Sequence, residues 1–300
     1  MKKLFSLIIL TLIIIQLNGQ YFGETITKAN QGDMVAQYEL GLFYFNVEET
    51  LKDYEHAFFW YKKSALQGHA ESQYRIGYMY EYGFGIAKNN KQAFYWYKKS
   101  AEQGHYKAQW SLGYMYEYGL GIAENNKQAF YWYKKSAEQG HYIAQWSLGI
   151  MYYDGNGTSM NKEKSFYWMK RCAEQGIAAA QYHLATMFYY GTGTSLDKNK
   201  SLNWYIKSAT QENIGAQYML GVMYYNGEGT LVNKNKSIFW YKKCAEQGDQ
   251  KAQYNLGALY ILGDGVKKDL SKGAFWMKKS LENGNKQAKE TWDYYQLYKY

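Results

Sequence analysis

The hydrophobic positions of the chain recur with a period of 36 residues, and residues 72–143 contain two nearly identical copies of the pattern. In the third repeat, Ala108, Leu112 and Met115 lie at positions i, i+4 and i+7, which form one face of an α-helix. A fixed period of this length is typical of stacked supersecondary units. The pattern therefore predicts a repeat architecture in which each repeat begins with a helix.

The remainder of each repeat predicts a second helix. Its consensus is Ala-Phe-Tyr-Trp-Tyr-Lys-Lys-Ser-Ala-Glu-Gln-Gly, and all seven copies keep the Trp and a small residue four positions later. Large and small side chains at this spacing allow two helices to interlock. A glycine in the first helix, such as Gly113, leaves further room for a neighbouring helix to approach.

Turn residues separate the helices. Gly119 and Gly121 are predicted to cap the first helix with positive φ, and Asn125, at a position that is always Asp or Asn, is predicted to cap the second. Gly140 is predicted to end the second helix. In the fifth repeat Glu212 replaces this glycine, so we expect a looser or locally bent junction there.

The repeats follow one another without insertion or deletion. They occupy residues 36–287 and begin at residues 36, 72, 108, 144, 180, 216 and 252; the first lacks the glycine pair and has Val47 and Glu49 instead. Residues 20–35 are predicted to form an N-terminal cap or half-repeat, and residues 288–300 a C-terminal capping helix. The predicted fold class is all-α, a solenoid of seven helix-turn-helix repeats, and the absence of Pro agrees with it.

On these residues the chain resembles the SEL-one-like repeat family, which is related to the tetratricopeptide repeats. The resemblance covers residues 36–287 and implies a right-handed superhelix of antiparallel helix pairs. It also implies an adaptor that binds proteins or peptides in a concave groove lined by the first helices. The residues of the third repeat that carry the resemblance are Ala108, Leu112, Gly113, Tyr116, Gly119, Gly121, Ala129, Trp132, Ala137 and Gly140.

Some secreted members of that family carry a disulfide in each repeat, and a few are described as binding β-lactams. This chain has only Cys172 and Cys244, which lie two repeats apart. With neighbouring helices about 8–10 Å apart, the two residues would be near ~20 Å apart, whereas a disulfide needs Cα atoms within about 7 Å. We therefore expect two buried, unpaired thiols.

The first 19 residues predict a signal peptide that is cleaved, with an uncleaved anchor as the alternative. Lys2 and Lys3 precede a mostly apolar run that ends at Leu17 and is shorter than the ~20 residues a membrane span requires. We expect an exported protein, periplasmic or extracellular, with membrane attachment only if the segment stays uncleaved. Export argues against nucleic acid as the partner, despite a net charge of +9.

The chain shows no pattern of catalytic or metal-binding residues. His69, His105 and His141 follow the helix-ending glycine in successive repeats, so they should form a row with a spacing of about 10 Å. Zinc ligands must lie about 2 Å from one ion, which such a row does not allow. We expect no catalytic residue, metal or cofactor, and no enzymatic activity. A cell-wall or β-lactam hydrolase, the least supported alternative, would need a nucleophile beside a base.

One basic residue per repeat lies near the end of each second helix. These cations suit the helix dipole and are expected to pair partly with Glu102, Glu138 and their equivalents. Contact with an anionic polymer or a membrane surface is the alternative. The residues of this basic ladder are Lys63, Lys99, Lys135, Arg171, Lys207, Lys243 and Lys279.

The candidate binding groove consists of first-helix positions that change between repeats. They are three and seven residues apart, which places them on one helical stripe beside the constant core stripe. Several are Tyr, a residue that gives large contact area at low entropy cost. We expect this groove to bind a protein or peptide; a cell-wall glycan is the alternative ligand, and the Tyr rings could instead only cover the stacked helices. The groove residues are Arg75, Tyr78, Tyr82, Ser111, Tyr114, Tyr118, Ser147, His183 and Tyr190.

Overall fold

A computed structural model of the chain describes residues 22–46 and 53–300, and all regular elements in these ranges are helical. The predicted signal peptide and the Val47 and Glu49 positions lie outside the described residues. Within the described ranges, no helix combines the length and the apolar character needed to cross a membrane.

The chain divides into two compact units. The first contains the described residues up to Ala144 together with 156–158, and the second contains 145–155 and 159–300. The helices of the first unit are α1 (ending at residue 30), α2 (Met34–Asn46), α3 (Tyr54–Leu66), α4 (Ala70–Tyr82), α5 (Asn90–Glu102), α6 (Tyr106–Tyr118) and α7 (Asn126–Glu138).

The second unit contains the remaining helices. Most of α8 belongs to it, and the chain ends with a short 3₁₀ turn over Leu297–Lys299. The helices are α8 (Tyr142–Asp154), α9 (Lys162–Glu174), α10 (Ala178–Tyr190), α11 (Lys198–Ala209), α12 (Ile214–Asn226), α13 (Lys234–Glu246), α14 (Gln250–Leu262), α15 (Leu270–Glu282) and α16 (Lys286–Tyr294).

The helix ends confirm the predicted caps. Asn125 accepts a hydrogen bond from the backbone N–H of Gln128 at 3.1 Å, and Gly119 ends α6 with a left-handed φ of 65°. Side-chain oxygens cap every second helix in the same way. These N-caps are Asp53, Asn89, Asn125, Asn161, Asp197, Asn233 and Asp269.

The second glycine of each pair has a role that the sequence did not reveal. A Cβ on Gly85 would lie 2.2 Å from the carbonyl oxygen of Tyr54, and one on Gly121 would lie 2.4 Å from that of Asn90. Each of these carbonyls belongs to the first turn of the second helix in the preceding repeat. The second glycine is therefore required by contact between repeats as well as by its positive φ.

Within a repeat, the first-helix glycine contacts a ring of the second helix. A Cβ on Gly77 would lie 2.6 Å from the Tyr97 ring, and Tyr97 is completely buried. In the fourth repeat the second-helix residue is Met169, and a Cβ on Gly149 would lie 3.3 Å from its terminal methyl group. The predicted close approach is confirmed, and it is tightest where the facing residue is Tyr.

Buried polar side chains connect these helices. Ser100 donates from Oγ to the carbonyl of Ala70 at 2.6 Å, and the amide of Gln103 donates to Oε1 of Gln73 at 2.7 Å. Gln73 in turn donates to the carbonyl of Ala65 in the preceding repeat at 3.1 Å. Because a buried polar group without a partner is costly, these bonds fix the relative position of three successive helices.

The two cysteines occupy the position that Ser takes in other repeats. Cys172 and Cys244 are completely buried and form no disulfide, as expected. The Cys244 sulfur lies 3.5 Å from the carbonyl oxygen of Ile214, where Ser would donate. Burial raises the pKa of Cys172 to about 11 and that of Cys244 to about 12, so both remain thiols at neutral pH.

At Glu212, where the sequence predicted a looser or locally bent junction, α11 ends one residue earlier than the other second helices, but the turn that follows keeps the same hydrogen bonds. Glu212 adopts the left-handed conformation itself, with φ of 64°. Its N–H donates to the carbonyl of Ala209 at 3.0 Å, the same distance as the equivalent bond from Gly176 to Ala173. The turn is therefore retained, because the surrounding hydrogen bonds hold the Glu212 backbone in the left-handed conformation. This conformation costs roughly 1–2 kcal/mol for a residue with a Cβ.

The glycine–ring contact can be tested with a matched pair of substitutions. We expect Gly77→Ala to lower the free energy of unfolding by about 1–3 kcal/mol, because the new methyl group overlaps the buried Tyr97 ring. Gly149→Ala meets only the mobile end of Met169 and should change stability by less than about 1 kcal/mol. Urea unfolding followed by circular dichroism measures both, and equal losses would contradict this account of the packing.

Candidate partner-binding surfaces

The end of α4 carries three aromatic rings in mutual contact. The ring centroids of Tyr78 and Tyr82 lie 4.6 Å apart, and Phe84, just beyond the helix cap, lies 5.8 Å from Tyr78 and 6.1 Å from Tyr82. Tyr82 is 56% exposed and is the last residue of α4, which Gly83 caps. Phe84 was not predicted, because it lies outside the helical stripe from which the groove was inferred.

The next repeat carries an equivalent pair. The rings of Tyr114 and Tyr118 lie 4.6 Å apart, and Tyr118 is 58% exposed. Desolvation and the neighbouring Glu81 raise the pKa of Tyr82, and Tyr114 adds to the effect, so the two pairs lie within electrostatic reach of each other. We call the five side chains Tyr78, Tyr82, Phe84, Tyr114 and Tyr118 the tyrosine surface.

Two carboxylates hold buried tyrosines beneath this surface. The hydroxyl of Tyr97 donates to Oε2 of Glu81 at 2.6 Å, and that of Tyr133 donates to Oε2 of Glu117 at 2.6 Å. Desolvation and the carboxylate raise the pKa of Tyr97 well above its ordinary value. Each half-buried carboxylate immediately precedes an exposed Tyr, so the tyrosine surface has negative charge beside it.

Arg75, a predicted groove residue, is engaged in an internal network. Its Nε lies 2.9 Å from Oε1 of Glu71, whose other oxygen lies 2.6 Å from Nε2 of His105 in the next repeat. Desolvation raises the pKa of Glu71, but the hydrogen bonds and charges of His105 and Arg75 outweigh it and lower that pKa to about 2. Glu71 therefore links α4 to the N-cap residue of α6, and Arg75, paired with Glu71, is not a free cation in the groove.

Ser111 and Ser147 differ from the tyrosines in exposure. Ser111 is only 5% exposed and interacts with the phenol of Tyr97, so it lies beneath the tyrosine surface. Ser147 is half-buried on α8 in the second unit. Ser111 is therefore not accessible as the predicted groove residue would be, because neighbouring side chains cover it.

His183 and Tyr190 lie together in the second unit. Both line a cleft of about 500 Å³ formed by residues of α8, α9 and α10. Desolvation lowers the pKa of His183, whose ring lies 4.9 Å from that of Trp146. Tyr190 is exposed beside this cleft, and Asp154 also lines it.

The basic ladder interacts mainly with aromatic rings. Lys63 Nζ lies 4.4 Å from the centroid of the Phe59 ring, and Lys207 Nζ lies 4.0 Å from that of Trp204. The expected pairing with Glu102 and Glu138 is wrong, because the preceding lysines contact those carboxylates: the partners are Lys98 at 3.9 Å and Lys134 at 3.8 Å. The ladder lysines lie instead over aromatic rings of their own helices: Lys99 Nζ is 5.2 Å from the centroid of the Tyr95 ring, and Lys135 Nζ is 5.5 Å from that of Tyr131.

The histidines of the predicted row form local hydrogen bonds. His69 Nδ1 lies 2.8 Å from the Ser72 hydroxyl, and His141 Nδ1 lies 3.0 Å from the Ser136 hydroxyl. Burial, with smaller effects of neighbouring charges, lowers the pKa of His141 to about 4, so its ring is neutral at pH 7. Across residues 22–46 and 53–300, no three His, Cys, Asp or Glu side chains converge on a common point as metal ligands would.

Comparisons with known proteins identify this repeat. The Sel1 repeat model matches residues 35–69, 70–105, 107–141, 143–177, 178–213, 214–249 and 250–285. A structure of a protective antigen of uropathogenic Escherichia coli strains, described as displaying an SLR fold, matches with 34% identity and a TM-score of 0.84 over 89% of this chain and 57% of that one. This chain therefore spans less than two thirds of that relative.

A Sel1 repeat protein from Oxalobacter formigenes matches with 29% identity and a TM-score of 0.69, over 93% of this chain and 80% of that one. No curated protein matches this chain.

The Glu71 network predicts a specific dependence of stability on pH. Since the pKa of Glu71 in the folded protein, about 2, lies below the ordinary 4.5, its stabilising contribution is present above pH 4.5 and disappears as the pH falls towards 2. We expect Glu71→Gln to lower the free energy of unfolding by about 2–3 kcal/mol at pH 7, and this difference from the unsubstituted chain should shrink steadily below pH 4.5.

Urea unfolding at a series of pH values measures this difference. The control is Glu102→Gln, which removes an exposed pair with Lys98 and should cost less than about 1 kcal/mol. A Glu71→Gln effect that is the same at pH 7 and pH 3 would show that the charge of Glu71 is not what stabilises the network.

Proposed function

This chain belongs to the Sel1 repeat family, and we propose that it is a non-catalytic scaffold that binds a protein or peptide on the tyrosine surface of its first unit. The predicted family and the predicted all-α repeat fold are confirmed. Sel1 repeats commonly mediate protein–protein interaction, and their proteins are typically scaffolds without catalytic activity.

The observation that carries the proposal is the exposure of paired tyrosines at the ends of two first helices. Tyr82 and Tyr118 are more than half exposed, yet each ring contacts that of the Tyr four residues earlier on its own helix, with centroids 4.6 Å apart. Such rings lose little conformational entropy when a partner covers them, and they offer both apolar area and a hydroxyl. Tyr is among the residues enriched at binding interfaces and at their energetic centres.

The charges beside the tyrosine surface indicate the chemistry of the partner. Glu81 and Glu117 accept hydrogen bonds from buried tyrosines, but within the described residues neither forms a salt bridge. A partner segment that combines apolar side chains with Arg or Lys would fit, because its cations could lie over the Tyr rings and near both carboxylates.

We also propose that the protein is exported, and the amino-terminal sequence supports this. Lys2 and Lys3 followed by the apolar run to Leu17 are typical of a signal peptide. Bacterial Sel1 proteins are often exported. We expect the mature chain in the periplasm or medium to begin near residue 20, which intact-mass measurement of the fractionated protein checks. A full-length chain confined to the cytoplasm would contradict export.

Removing the exposed rings tests the binding surface. We expect Tyr82→Ala with Tyr118→Ala to weaken capture of the partner at least ~10-fold, since truncating a central interface Tyr often costs ≥2 kcal/mol. Helicity and melting temperature should hardly change, because both rings are exposed. The measurement is quantitative pull-down from a cell-envelope fraction with the purified chain.

The matched control is Tyr95→Ala with Tyr131→Ala, which removes two tyrosines of similar exposure, 48% and 47%, from second helices. Equal loss of partner capture in both double variants would indicate that removing exposed aromatic area weakens capture wherever the rings lie. A protein-binding function would be contradicted if the unsubstituted chain captured only glycan, or if Tyr82→Ala with Tyr118→Ala captured as much protein as the unsubstituted chain.

A further inference from the structure

Five aromatic side chains lie in contact between α2, α3 and α4 in the first unit: Phe45, Tyr54, Tyr61, Tyr78 and Phe84. The Phe45 ring lies 6.3 Å from that of Tyr78, 6.0 Å from Phe84 and 6.4 Å from Tyr61. Tyr78 and Phe84 are stacked at 5.8 Å. Centroid separations in this range are those of favourable aromatic pairs, so the chain's own rings occupy this space.

The equivalent space in the second unit has lost four of these rings, because Lys162 replaces Tyr54 and three smaller residues replace the others. Residues three repeats further along the chain take the same places: Met169 replaces Tyr61, Thr186 replaces Tyr78, and Thr192 replaces Phe84. All three replacements line the cleft of about 500 Å³. The cleft therefore lies where these rings would be. Its position follows from the sequence differences between two equivalent sets of three helices.

The lining of this cleft suits an aromatic ring. Ile150, Met169 and Met187 provide apolar contacts, and Tyr153 keeps an aromatic residue where the first unit has Phe45. Methionine contacts aromatic rings favourably and adapts to their shape. A volume of about 500 Å³ is in the range of ligand pockets and is sufficient for one aromatic side chain with part of its backbone.

The polar residues at the same cleft differ in charge from their first-unit equivalents. Asp154 replaces Asn46, and His183 replaces Arg75. Desolvation lowers the pKa of His183. These two exchanges remove a cation and add an anion, whereas Lys162, in the place of Tyr54, adds a cation whose Nζ lies 3.1 Å from the centroid of the Tyr153 ring. Within the described part of the chain Asp154 forms no salt bridge, and the nearby Lys162 donates instead to the Tyr153 carbonyl at 2.6 Å.

We propose that this cleft binds a Phe or Tyr side chain of a peptide segment in which the next residue is Arg or Lys. The ring enters between Met169 and Thr186, in the place of the missing rings, and the neighbouring cation lies near Asp154. This inference rests on the proposed function but concerns a separate site, so it is tested with a defined peptide and without the natural partner.

The test is a titration of the full chain with acetyl-Phe-Arg amide, followed by NMR of the His183 ring. We expect a saturable shift of its resonances, and at least ~10-fold weaker binding of acetyl-Ala-Arg amide, because the ring supplies most of the buried area. Asp154→Asn should weaken binding of acetyl-Phe-Arg amide about 3-fold at low salt and less at high salt, since an exposed ion pair is worth less than about 1 kcal/mol and is screened.

Refilling the cleft provides the decisive variant. Thr186→Tyr with Thr192→Phe restores the first-unit rings and should abolish peptide binding. If this variant fails to fold, Met169→Tyr alone serves, because Gly149 retains the room that Gly41 gives to Tyr61. The control is Tyr167→Ala, an exposed residue of α9 outside the cleft, which should bind as the unsubstituted chain does.

No saturable shift with acetyl-Phe-Arg amide, or undiminished binding by the refilled chain, would overturn the inference. Peptide binding without protein capture at the tyrosine surface would leave this inference standing and reject the proposed function. Protein capture at the tyrosine surface without peptide binding in the cleft would reject only the proposed peptide site in the cleft.

Discussion

The contact between a first-helix glycine and the ring of the following helix determines how closely the two helices of a repeat approach. Without a Cβ, Gly77 lets the Tyr97 ring lie against its backbone, and at this separation Ser100 reaches the carbonyl of Ala70. The same packing positions Gln73 to bond to the preceding repeat. A repeat with a larger residue at Gly77 would have to move the ring or lose these buried bonds.

Because the repeats share this packing, the variable positions can differ between repeats and carry function. The apolar face of each first helix, its glycine and its glutamine are used in packing, which leaves the last turn of the helix exposed. Tyr82 and Tyr118 occupy that turn in the first unit, whereas Asp154 and Tyr190 occupy it in the second. Repeats of one architecture therefore differ at equivalent positions: the first unit has aromatic rings in contact, and the second unit has a cleft lined by Thr186 and Thr192.

Much of the fold could be predicted from the sequence because caps and core positions depend on local residue types. Asn125 and Gly119 behave as their spacing predicted. The exposure of the groove residues was less predictable. Helical periodicity gives the direction in which a side chain points, but not how far neighbouring side chains cover it. Ser111 is buried, and Arg75 is paired with Glu71, for this reason. The missing rings of the cleft were visible in the sequence, but only by comparing residues three repeats apart.

Photo-crosslinking from the tyrosine surface tests the central claim most directly. A photo-reactive amino acid replaces Tyr82 or Tyr118 in the producing cell, with Tyr95 on a second helix as the control position. The proposed function predicts a discrete protein adduct from both surface positions and none from the control, identified by mass spectrometry. Adducts only with glycan, or the same adducts from all three positions, would contradict it.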